Sequence, residues 1–167
     1  YYFNNEGCVL NSTLILSAPE NSTPGRNTAP AAIRITVAPS DHLTVTENGI
    51  PLLEPSRHIV LATTLSFLSL VNPRISISIA NSIPHGSGLG GSSLLTAAIL
   101  TAILATYRGI DYLRQNLCEI VNNVLLIEQM MNSGGGWQDQ IGGMFPGVKC
   151  TTVSPGKPCA YSISYLG

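Results

Sequence analysis

Two kinds of hydrophobic period divide this chain. Ala32 to Ala38 (AIRITVA) and Arg74 to Ala80 (RISISIA) alternate apolar with polar residues and are rich in β-branched side chains, which predicts half-buried strands. Cys8 to Leu16, Leu43 to Thr46, Val148 to Val153 and Tyr161 to Tyr165 read as further strand-like pieces, and Glu47-Asn48-Gly49 as the turn after the second of these. Asn21 to Pro30 carries two prolines, a glycine and several polar residues, and is expected to be a loop. Helical length and pattern appear at Arg57 to Val71, at Ser92 to Tyr107, and at Tyr112 to Met131 with Asp111 as N-cap; Ser133-Gly134-Gly135-Gly136 stops the last one. The mixture predicts an α+β fold in one domain.

Composition narrows the function. Hydrophobic residues make up 44% of the 167 positions and charged residues only 10%, against the ~25% usual in soluble domains. So little charge suggests surface meant to be covered by missing segments of a longer parent chain. The net charge of −1 and the scattered Lys and Arg offer no basic field for nucleic acid or anionic lipid. Four cysteines without CxxC spacing and three distant histidines do not form a zinc pattern, and the cysteines are expected to be thiols. The longest apolar run, Leu94 to Leu104, has 11 residues, whereas a bilayer span needs ~20; it is expected to be a buried helix. No signal peptide pattern opens the chain, so a cytoplasmic protein is expected.

The chemistry concentrates in three places. The first is Pro84-His85-Gly86-Ser87-Gly88-Leu89-Gly90-Gly91-Ser92-Ser93, which runs from a strand into a helix. Its glycines permit positive φ and close approach to a ligand, and the helix start adds unpaired N–H groups, so the segment can cradle a phosphate. Ser92 and Ser93 could touch phosphate or Mg²⁺, or one of them could simply cap the helix. Gly86-x-Gly88-x-x-Gly91 with Asp111 twenty residues on also matches a dinucleotide fingerprint, although Pro84-His85 separate the strand from the first glycine. The second is Glu128, which interrupts the apolar stripe Leu113, Leu117, Val121, Val124, Met131; a carboxylate on a core face calls for a partner or a cation. The third is Asp139 in Gly134-Gly135-Gly136-Trp137-Gln138-Asp139-Gln140-Ile141-Gly142-Gly143, expected to be a tightly turned loop pressed against a neighbour, where Asp139 could accept a proton from a hydroxyl or merely cap a turn.

Together these pieces resemble the GHMP kinases, whose central motif is similar to Pro84-x-x-x-Gly88-Leu89-Gly90-Gly91-Ser92; the downstream Gly-Gly-Gly-Trp-Gln-Asp-Gln-x-Gly-Gly is most similar to the L-fucokinase branch. The resemblance is clear from Ser82 to Lys149. It implies a fold like domain 2 of ribosomal protein S5, and an ATP-binding N-terminal domain over residues 1–167. It also implies ATP and Mg²⁺ as cofactors, and transfer to the anomeric hydroxyl of L-fucose or a similar hexose. By the same resemblance Pro84, Gly86, Ser87, Gly88, Leu89, Gly90, Gly91, Ser92 and Ser93 bind nucleotide, Ser92 and Glu128 hold Mg²⁺, and Asp139 is catalytic. Gly91 departs from the family's usual Ser or Thr. The family's N-terminal motif does not match Pro24-Gly25-Arg26, and no second GHMP domain follows, so the chain is expected to be a fragment without activity alone. A non-catalytic relative and a Rossmann-type domain remain as alternatives.

Overall fold

The computed structural model describes residues 7–11, 32–154 and 160–166. Alternation translates directly into a four-stranded sheet made of β2 (Ile33–Pro39), β3 (Thr44–Glu47), β4 (Ile50–Pro51) and β5 (Ile75–Asn81) in the order β2-β5-β3-β4. β5 pairs antiparallel with β2, placing Ile79 opposite Ile35 and Ile77 opposite Val37, and parallel with β3. Ile33, Ile35, Val45, Ile75, Ile77 and Ile79 are buried on one face, whereas Arg34, Thr36 and Ser78 are exposed. The β3–β4 turn has Asn48 at φ 49° and Gly49 at φ 81°, the paired left-handed geometry that matches the twist of a tight hairpin.

α1 (Ile59–Phe67) and α2 (Gly91–Arg108) cover the apolar face. α1 is shorter than the predicted Arg57 to Val71. A 3-10 turn at Pro55–Arg57 precedes it, and His58 Nδ1 accepts the Leu61 N–H at 3.2 Å as its cap. Its end is a Schellman motif: Leu70 N–H reaches Leu65 O and Ser69 N–H reaches Ser66 O, with Ser69 at φ 55°. A serine fills the left-handed position usually given to glycine, so the sequence carries no visible stop there. α2 is apolar nearly all round because it is covered on two sides. Leu94, Leu95, Ile99 and Ile103 join the sheet core, and Ala97 and Leu100 pack with Ile120, Val124 and Ile127. Each buried Leu or Ile contributes roughly 1.5–3 kcal/mol.

The expected helix from Tyr112 to Met131 is two helices, α3 (Ile110–Gln115) and α4 (Leu117–Met130), broken at Asn116, whose Nδ2 donates to Tyr112 O at 2.8 Å. Asp111 is not an N-cap. It lies in the first turn of α3 after Gly109, exposed and paired with Arg114. Nor do the glycines end α4: Asn132 takes the left-handed position at φ 58°, with Ser133 N–H on Glu128 O. α5 (Gln138–Met144) then leads into β6 (Lys149–Ser154) and β7 (Ala160–Tyr165), which pair antiparallel with each other, β6 also pairing with β1 (Gly7–Asn11). A smaller core of Val121, Trp137, Ile141 and Val153 joins this sheet to the helices. The expected strand beyond Asn11 and the loop Asn21 to Pro30 lie outside the described residues. Among the described residues no helix is long and apolar enough to cross a membrane.

Candidate active site

The glycine segment leaves the C-terminal end of β5 and enters α2. Pro84 to Leu89 are exposed, and Gly86, Gly88 and Gly90 have φ of 73°, 71° and 66°. Around Gly86 and Gly88 none of the described residues lies within 4 Å of where a Cβ would stand, so conformation favours glycine there. Gly90 differs. It is the residue preceding α2, and a Cβ on it would stand 3.0 Å from Asp139 Cβ and Cγ. Gly91, Ser92 and Ser93 form the first turn of α2. Neither serine is the N-cap: Ser92 is exposed, and Ser93 is buried with its Oγ 2.8 Å from both oxygens of Glu128.

Glu128 sits in the last turn of α4 and is only 4% exposed. Its carboxylate receives the Ser93 hydroxyl and the Nε2–H of Gln140, which is fully buried. Burial raises its pKa above 4.5 and the nearby charge of Asp139 adds to that, while hydrogen bonds from Ser93, Ser92 and Gln140 act the other way.

Asp139 is not in a loop. It occupies the first turn of α5, exposed to solvent but packed over Gly90, and the water it loses there raises its pKa above 3.8. The expected pressure against a neighbour is real, but it falls on a helix. A Cβ at Gly143 would stand 1.7 Å from Leu94 Cδ2, so Gly143 lets α5 lie against α2. Lys149 is buried, with Nζ donating to Phe145 O at 2.6 Å and Gly142 O at 3.2 Å. It thus closes the C-terminal end of α5, away from Asp139, and burial lowers its pKa.

Three helices therefore bring together the end of the glycine segment and two carboxylates. Among the described residues neither Glu128 nor Asp139 takes part in an ion pair. A phosphate on the α2 N-terminus would face both carboxylates, a repulsion that a divalent cation relieves. The donor set is all oxygen, from Glu128 and the serine hydroxyls, which suits Mg²⁺. Among the described residues no three His, Cys, Asp or Glu converge to cage a metal, and Mg²⁺ is usually held by one or two carboxylates plus phosphate oxygens.

The sequence pattern of the GHMP kinases N terminal domain matches residues 58–147, a stretch that includes the glycine segment and both carboxylates. The chain belongs to the GHMP kinases. Residues over 46% of it are 49% identical to a bifunctional fucokinase/GDP-fucose pyrophosphorylase from Arabidopsis thaliana, and residues over 49% of it are 39% identical to an L-fucokinase/L-fucose-1-P guanylyltransferase from Bacteroides fragilis. These matches span 7% and 8% of those relatives' lengths. Among solved structures, a D-glycero-D-manno-heptose 1-phosphate kinase from Bacteroides thetaiotaomicron superposes with TM-score 0.61 at 21% identity, over 81% of this chain and 48% of that one. A Methanococcus jannaschii mevalonate kinase gives 0.54 at 18%, over 81% and 45%. The α+β fold of the GHMP N-terminal domain is thus present. The Rossmann alternative falls: the strand before the glycines is antiparallel to β2, and Asp111 is on a helix instead of a strand end.

Sequence reasoning put weight on Ser92 and passed over Gln140. The signal for Gln140 was available, because on a helix it shares a face with Trp137, Ile141 and Met144; read as a loop, the segment hides that period.

Proposed function

We propose that the protein is a cytoplasmic sugar kinase that transfers the terminal phosphoryl group of ATP to the anomeric hydroxyl of L-fucose or a similar hexose. The observation that carries this reading is the convergence of Glu128 and Asp139, from two helices, on the N-terminal end of α2, one at Ser93 and the other over Gly90. The identities to two fucokinases point to the sugar. In this reading Pro84 to Ser93 bind the nucleotide, with the backbone at Gly86, Gly88 and Gly90 to Ser93 against its phosphates. Ser92 and Glu128 hold Mg²⁺, with Ser93 fixing the Glu128 carboxylate. Mg²⁺ there supplies neutralisation of phosphate charge. Asp139, solvent-facing beside Gly90, orients the sugar hydroxyl or accepts its proton as the hydroxyl attacks. Phosphoryl transfer depends chiefly on such positioning and charge neutralisation.

The test is product formation by the full-length parent of this chain with ATP, Mg²⁺ and L-fucose, alongside D-mannose and D-galactose. Fucose 1-phosphate as the preferred product is expected. Binding of ATP with transfer to none of the three sugars would mean that the fold serves binding alone.

A further inference from the structure

Resting on that reading of Glu128, we propose that Gln140 is a positioning residue: its buried side-chain amide fixes the Glu128 carboxylate in the orientation that receives the cation. Glu128 could rotate about its last side-chain bond, and a ligand for a small octahedral ion must hold its direction. The Ser93 hydroxyl and the Gln140 amide both limit that freedom. Ser93 Oγ lies 2.8 Å from each oxygen and so approaches along the carboxylate axis. Gln140 Nε2 reaches Oε2 alone and makes the two oxygens inequivalent. Gln140 is itself held, being fully buried on α5 between Asp139 and Ile141.

A packing role alone fits poorly. Among the described residues Gln140 Oε1 is buried with no hydrogen-bond partner, a cost that a leucine or methionine of similar size would avoid. The amide is retained despite that cost, and its nitrogen donates to Glu128. The neighbour relation adds a consequence. Asp139 and Gln140 are consecutive on α5, one over Gly90 and the other on Glu128, so the same helix turn sets the position of both carboxylates.

The experiment measures Mn²⁺ affinity of the full chain in the presence of adenylyl imidodiphosphate, with metal-free affinity for the same analogue alongside. Gln140→Met should weaken Mn²⁺ binding about 10–100-fold, the usual range for loss of a group that orients a metal ligand. Metal-free affinity should stay close to that of the unaltered chain, since the Gln140 amide bonds Glu128 on α4. Gln140→Asn, which keeps the amide on a shorter arm, should fall between. Loss of Mn²⁺ affinity in Glu128→Gln with none in Gln140→Met overturns the role given to Gln140. No loss in either overturns the cation reading of Glu128 and this inference with it. A measurement on the unaltered chain needs no variant: the Gln140 side-chain ¹⁵N–¹H signals should shift as Mn²⁺-free Mg²⁺ is titrated in, and signals that stay fixed through saturation contradict the proposal.

Discussion

Between Pro84 and Leu89 the proposed contacts are backbone: every residue is exposed, and none of the described residues fills the space where a side chain at 86 or 88 would stand. Directly behind, around Ser93, Glu128 and Gln140, the working parts are side chains, all three buried and bonded across α2, α4 and α5. The first region takes its properties from local conformation and tolerates little change in φ. The second takes them from tertiary contact and depends on how closely the helices approach. A substitution should therefore affect nucleotide and cation separately, according to the region it strikes.

The largest effect is expected at Gly88. A β-branched residue strongly resists φ near 71°, so Gly88→Val should distort the loop and abolish ATP binding measured by calorimetry, while the cluster behind stays folded. ATP binding equal to that of the unaltered protein would remove the loop from the site. Next is Asp139→Asn in the full-length parent, which should lower turnover by roughly 10²–10⁴-fold with nucleotide affinity nearly unchanged, as loss of a general base does. Undiminished turnover would leave Asp139 as a spacer over Gly90.

Gly143→Ala probes the second region through packing. Its methyl group must displace Leu94 in the core, a cost of roughly 1–3 kcal/mol in denaturant unfolding. An unchanged unfolding midpoint would show that α5 can move off α2 freely. The smallest effect concerns pH. The Glu128 pKa is raised by burial, so the folded chain disfavours its ionised form. Its contribution to stability is fully present below about pH 4.5, the ordinary glutamate value, and is lost as pH rises through the raised value. In metal-free buffer, thermal scans should show Glu128→Gln losing less stability than the unaltered chain across that window. Parallel curves would mean that Glu128 is not strained by its burial.

How much of this could be read beforehand follows the same division. The strands around Ile33, Val45 and Ile77 and the glycine loop were legible because their signals are local: a period of two, and glycine spacing. Glu128 was legible because it broke an apolar stripe. What was hidden depends on tertiary contact or on residues in uncommon roles. Ser69 and Asn132 end helices in left-handed conformations normally given to glycine, so α1 and α4 stop without a glycine. Asp139 reads as a loop residue because the glycines around it are loop-like in composition; Gly143 is there so that a helix can lie against Leu94. Ser93, not Ser92, holds both Glu128 oxygens, since only packing decides which hydroxyl of the first turn points inward.

On the proposed reading, the buried cluster places a divalent cation against phosphates held by the loop. The direct measurement is ATP affinity by calorimetry with and without Mg²⁺, in the unaltered protein and in Glu128→Gln. Mg²⁺ should strengthen ATP binding to the unaltered protein and do little for the variant, whose metal-free affinity should match or exceed that of the unaltered protein because one repelling carboxylate is gone. An equal strengthening by Mg²⁺ in both proteins would contradict the claim.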